Sequence, residues 1–125
     1  MAFRVEIEPQ AYDDLDSIAA YLKESGSIAV AEKWFNGIIE DIASLKELPA
    51  RCPVAPESAD IGQEIRILLH GRRKRSYKIY YAIHHETTSA GAVQVFHVRH
   101  WARKPVSEDE LQDIIDDLGG EAPAD

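Results

Sequence analysis

The stretch Ile65–Lys104 reads IRILLHGRRKRSYKIYYAIHHETTSAGAVQVFHVRHWARK. Three runs within it, Ile65–Leu69, Tyr77–His84 and Val93–His100, are rich in Ile, Val, Tyr and Phe. Turn-type residues bound each of them, so each predicts a β-strand. The same window holds nine basic side chains, Arg66, Arg72, Arg73, Lys74, Arg75, Lys78, Arg99, Arg103 and Lys104, against one acid, Glu86. Its formal charge is therefore +8 in a chain whose total is −8, which leaves −16 on the remaining residues. A sheet with a concentrated positive face inside an acidic protein is the feature a functional account has to explain.

Alternation sets the expected faces of that sheet. Tyr77, Ile79, Tyr81 and Ile83 alternate with Lys78, Tyr80, Ala82 and His84, and Phe96 and Val98 alternate with Val95, His97 and Arg99. The pattern predicts one apolar face and a second face carrying Lys78, His97 and Arg99 outward, with Tyr80 and His84 on the same side. The polar link Glu86–Gly91, ETTSAG, predicts a hairpin turn.

Upstream of the window, Phe3, Val5 and Ile7 alternate with Arg4 and Glu6, the period of a half-buried strand. Pro9 ends it and suits the first turn of a helix. Ala11, Leu15, Ile18 and Leu22 form an apolar stripe that predicts a first helix from about Gln10 to Glu24. Asp13, Asp14 and Asp16 lie near its N-terminal end, where they favour the macrodipole. Ser25-Gly26-Ser27 predicts a stop, with Gly26 left-handed and Ser27 capping the next helix. That second helix is expected from about Ile28 to Leu48, with Ala31, Trp34 or Phe35, Ile38, Ile42 and Leu45 as its stripe. So short a break implies a helical hairpin lying on the sheet. Trp34 and Phe35 are about 100° apart around the helix and cannot face the same way. Residues 49–63, with three prolines and a glycine, read as a loop.

Downstream, Ser107–Glu110 has the capping-box pattern, and Leu111, Ile114, Ile115 and Leu118 follow at helical spacing. From residue 105 onward there are eight acids and no Lys or Arg. A short acidic amphipathic helix is expected over 107–118, docked on the core by its apolar face or, alternatively, with its acidic face shielding the basic sheet or tuning what binds there, and disorder over 119–125.

The 125 residues suit a single domain. One cysteine, Cys52, allows no disulfide within the chain and fits a reducing cytoplasm. The opening MAFRVEIEP lacks a signal-peptide apolar core, and no run approaches the ~18 apolar residues of a membrane span. No ligand spacing argues for a metal, and no motif argues for a cofactor. Net negative charge weighs against non-specific nucleic-acid binding by the molecule as a whole.

The order strand, helix, helix, three strands, with EIRILLHGRRKRSYKIYYAI followed by VQVFHVRHWARKPVSEDEL, resembles the RelE/ParE superfamily of toxins from type II toxin–antitoxin modules. The ParE-like, plasmid-stabilisation branch is the nearer one. The resemblance spans nearly the whole chain and rests most on YKIYYAI (Tyr77–Ile83) and HVRHWARKPV (His97–Val106). It implies an α+β fold, β-α-α-β-β-β, with a helical hairpin on a small antiparallel sheet. It also implies a cognate antitoxin, ParD-like or other, that forms a hetero-oligomer with the toxin. Two activities occur on such a fold: mRNA cleavage in the ribosomal A site and inhibition of DNA gyrase.

The ribonuclease members use Lys and Arg on the sheet, an Arg in the third strand, and an Arg and then a Tyr near the C-terminus. On this chain those last three positions fall at Lys78, near Trp101 and near Ser107, and no tyrosine follows Tyr81. Lys does not replace Arg at a phosphate clamp without loss. The resemblance therefore favours a toxin that acts by binding, with DNA gyrase as target. Arg66, Arg72, Arg73, Lys74, Arg75, Lys78, Arg99 and Arg103 are the candidate antitoxin- and target-binding residues. The alternatives are a ribosome-dependent mRNA endonuclease using Lys78, His97, Arg99 and His100, and a non-toxic relative that keeps antitoxin binding.

Overall fold

In the computed structural model, residues 2–56, 58–71 and 76–100 are described. Strand β1 (Arg4–Ile7) leads into helices α1 (Pro9–Ser25) and α2 (Ile28–Ala43). A short helix, α3 (Ser58–Ile61), precedes strands β2 (Arg66–His70), β3 (Tyr77–His84) and β4 (Ala92–His100). Apart from α3, which falls within the loop expected over 49–63, the order is the expected β-α-α-β-β-β, and β3 has the bounds the sequence predicts. The expected C-terminal helix and disordered tail lie outside the described residues.

The sheet order is β1-β4-β3-β2. β2, β3 and β4 form an antiparallel meander, whereas β1 pairs parallel to β4, with Val5 opposite Val93 and Ile7 opposite Val95. The sheet is thus mixed rather than purely antiparallel. Parallel neighbours need a long crossover, and the helical hairpin together with β2 and β3 supplies it.

The hairpin forms where the sequence punctuates it. Pro9 occupies the first turn of α1, and Ser27 caps α2 by accepting the Val30 N–H at 3.1 Å. Gly26 closes α1 at φ −128°, not in the left-handed region expected of it, and its N–H donates to the Leu22 carbonyl. α2 ends at Ala43, short of the expected Leu48, and continues as a 3-10 turn over Ser44–Lys46. Pro49 opposes a helix that reaches Leu48, because the residue before a proline is disfavoured in the right-handed helical region. Leu48 takes φ 47°, ψ 55° instead. The Arg51 guanidinium fixes this turn by donating to the carbonyls of Ser44, Glu47 and Leu48 at 3.3, 2.7 and 3.4 Å.

The main core lies between the hairpin and one face of the sheet. Ala11, Leu15, Ile38, Ile42 and Leu45 meet Tyr77, Ile79, Tyr81, Val93, Val95 and Val98. Trp34 and Phe35 are both half-buried against it, on different sides of α2. The opposite face departs from expectation. Tyr80, Ala82 and Phe96 are buried there with Ala55 and Ile65 in a second cluster, covered by the segment before β2. The register steps from Tyr81↔Val95 to Tyr80↔His97, which leaves Phe96 as the extra residue of a β-bulge. Period-2 alternation groups Phe96 with Val98, but the bulge puts them on opposite faces.

Ser58 pins the covering segment. Its buried hydroxyl donates to the Ile65 carbonyl at 3.0 Å and accepts the Ile65 N–H at 2.9 Å.

Candidate partner-binding site

β1 is four residues long and its pairing ends at Ile7↔Val95, while β4 runs on to His100. The second half of β4 therefore has no strand on that side among the described residues. α1 runs alongside this open edge. Asp14, Ser17, Ile18 and Tyr21 recur at i, i+3, i+4 and i+7, so they project from one side of the helix. With Tyr77 and His97–His100 they enclose a cleft of about 690 Å³.

Asp14 joins the two walls. Its Oδ2 accepts the Val98 backbone N–H at 2.9 Å and lies 2.8 Å from His97 Nδ1. The His97 contact is close in distance without hydrogen-bond alignment. Gln10 Nε2 donates to Asp14 Oδ1 at 2.9 Å and orients the carboxylate. An unpaired strand edge is a template for another chain. Here one carboxylate blunts it at a single residue.

The floor is aromatic. Tyr77 stands between Trp34 and His100, with ring centroids 5.1 and 5.0 Å away in edge-to-face geometry. His70, opposite Tyr77 on β2, meets Trp34 at 6.5 Å, and its Nδ1 lies 2.5 Å from Asp41 Oδ2. Burial, with Tyr21 adding a smaller electrostatic effect, pushes the Tyr77 phenol above its ordinary pKa. It stays a neutral donor near neutral pH. Tyr21 on the rim is 66% exposed.

The residues singled out by sequence fall into four groups. Arg66 is committed to the fold: it donates to the carbonyls of Ala50 and Cys52 at 3.1 and 2.5 Å and pairs with Glu64 at 2.6 Å. Lys78 and Arg99 are direct cross-strand partners, and His97 opposite Tyr80 shares their face. His100 is opposite Tyr77 and so belongs to the other face. Arg72, Arg73, Lys74, Arg75 and Arg103 lie outside the described residues.

Asp14, Ser17 and Tyr21 were not among the candidates. The available signal was an exposed tyrosine on the polar side of a helix, in line with Asp14 seven residues earlier. None of the three acids Asp13, Asp14 and Asp16 sits in the first turn of α1, so the macrodipole is not what Asp14 serves.

The cleft combines apolar groups (Ile18, Tyr21, Tyr77, Val98), basic and imidazole groups (Arg99, His97, His100) and strand-edge backbone. That set suits a peptide segment with apolar anchors and carboxylates, since pockets fix the anchors and charge fixes the register. Among the described residues, no group of three or more His, Cys, Asp or Glu side chains is placed to hold a metal. No described helix is long and apolar enough to cross a membrane.

Residues 5–105 match the family described as the ParE toxin of the type II toxin–antitoxin system parDE. Among solved structures, one described as the chromosomal ParDE TA system from P. aeruginosa is similar, with a TM-score of 0.60 and 14% identity. The alignment covers 79% of this chain and 96% of that one. At that identity the likeness is one of fold. No curated protein matches.

Proposed function

The chain belongs to the ParE toxin family of parDE type II toxin–antitoxin systems, and from that premise we propose that it acts by binding, with DNA gyrase as target and a cognate antitoxin as neutralising partner. The α1–β4 cleft carries the proposal. It presents strand edge, aromatic floor and basic groups together, the set that captures an acidic, apolar-anchored antitoxin segment. Lys78 and Arg99 extend the basic character across the sheet. The choice of gyrase follows from family membership.

The residue types at the positions used by the ribonuclease members support binding over catalysis. Cleavage through the 2′-oxygen needs a base, an acid and cations for the phosphate. The third-strand Arg, later Arg and Tyr of those members fall here at Lys78, near Trp101 and near Ser107, and no tyrosine follows Tyr81.

A purified supercoiling assay tests the reading. The toxin is expected to inhibit gyrase, and the antitoxin encoded beside it to restore activity at stoichiometric amounts. Undiminished supercoiling with excess toxin would remove gyrase as the target. mRNA cleavage on translating ribosomes would point to the endonuclease alternative.

A further inference from the structure

The chain carries a second candidate occupant for the cleft. We propose that its own acidic C-terminal segment, Pro105–Asp125, docks into the α1–β4 cleft through Leu111, Ile114, Ile115 and Leu118 and competes there with outside partners.

Four observations converge on this. β4 ends at His100, which itself lines the cleft, so the following chain starts at its lip. Twenty-five residues follow His100, and the family match stops at residue 105. The segment is thus an addition to the part of the chain that the family defines. It carries eight acids and no Lys or Arg, while the cleft wall offers Arg99, His97 and His100. The carboxylate of Asp14, the one acid among the described residues that line the cleft, is already engaged by Val98 and Gln10. Finally, the i, i+3, i+4, i+7 stripe of the segment supplies apolar anchors for Ile18, Tyr21, Tyr77 and Val98.

Tethering makes modest affinity sufficient. A short linker holds the segment at an effective concentration in the millimolar range. A partner then binds only the open fraction, and its apparent affinity falls in proportion. The toxin would be partly self-masked, and an antitoxin would have to displace the segment. Charge pairing of this kind weakens with added salt.

The test needs no partner, so it stands apart from the gyrase and antitoxin reading. A nitroxide is attached to the full-length chain at Gln112→Cys in a Cys52→Ser background, and amide signals are compared before and after its reduction. Docking predicts loss of the Ser17, Ile18 and Tyr21 signals, on a helix about 90 residues distant in sequence. The added pair Ile114→Asp and Ile115→Asp should restore them, as should high salt in part. Unattenuated α1 signals, or attenuation equally strong with the added pair, would overturn the proposal.

Discussion

Asp14 Oδ2 accepts the backbone N–H of Val98 at 2.9 Å, joining residues 84 positions apart. This bond fastens α1 to the part of β4 that β1 does not reach. Asp14→Ala leaves a part-buried N–H without its acceptor, which costs about 1–3 kcal/mol. Asp14→Asn keeps an acceptor oxygen and should cost less. Urea denaturation of the two variants checks the order. The Ala variant should also self-associate more, seen by sedimentation, because the strand edge is no longer blunted.

Gly91 shows a second local constraint. Its φ is +117°, and a Cβ there would lie 1.9 Å from the His84 carbonyl oxygen. Gly91→Ala should therefore destabilise the protein by more than about 1 kcal/mol. The β3–β4 turn should lose amide protection first, as hydrogen exchange would show.

Tyr81 links stability to alkaline pH. Its hydroxyl donates to the Pro49 carbonyl at 2.5 Å, and burial, then contact with Cys52, pushes its pKa well above 10.0. A phenol whose folded pKa is raised stabilises the fold fully below its unfolded value. That contribution is lost as pH rises through the folded value. Stability should fall from about pH 10 upward. Tyr81→Phe should flatten that decline while lowering stability near neutrality by about 1–3 kcal/mol for the orphaned carbonyl. Denaturation midpoints from pH 7 to 11 measure both effects.

The cleft gives a binding prediction. Tyr21→Ala and Arg99→Glu should each weaken antitoxin binding about tenfold or more, as expected for an aromatic and an arginine anchor. Arg66→Ala should act differently, lowering stability with little direct effect on affinity, because its guanidinium holds the Ala50 and Cys52 carbonyls. Calorimetry of each variant against the antitoxin separates the two behaviours.

Elements with an uninterrupted period were legible in the sequence, and contacts between distant elements were not. β3 was readable to its end residues because Tyr77–His84 is a run of β-forming residues between clear stops. Ser27 was readable as a cap because its chemistry is local. Phe96 was misplaced because a bulge leaves no mark on composition and shifts the face of everything after it. Arg66 looked like a surface cation because the carbonyls that hold it come from a loop 14 and 16 residues earlier. Asp14 looked like one of three helix-end acids, and only the fold brings it to Val98. The cleft escaped for the same reason, since its walls come from residues 14–21 and 77–100.

The most direct measurement is pulse labelling of DNA and protein synthesis after induced expression without antitoxin. Gyrase inhibition predicts that DNA synthesis stops first, with filamentation, and that protein synthesis continues. Arrest of protein synthesis within minutes would contradict that account and favour mRNA cleavage. Continued growth with both syntheses intact would contradict it as well, leaving a non-toxic relative that binds antitoxin.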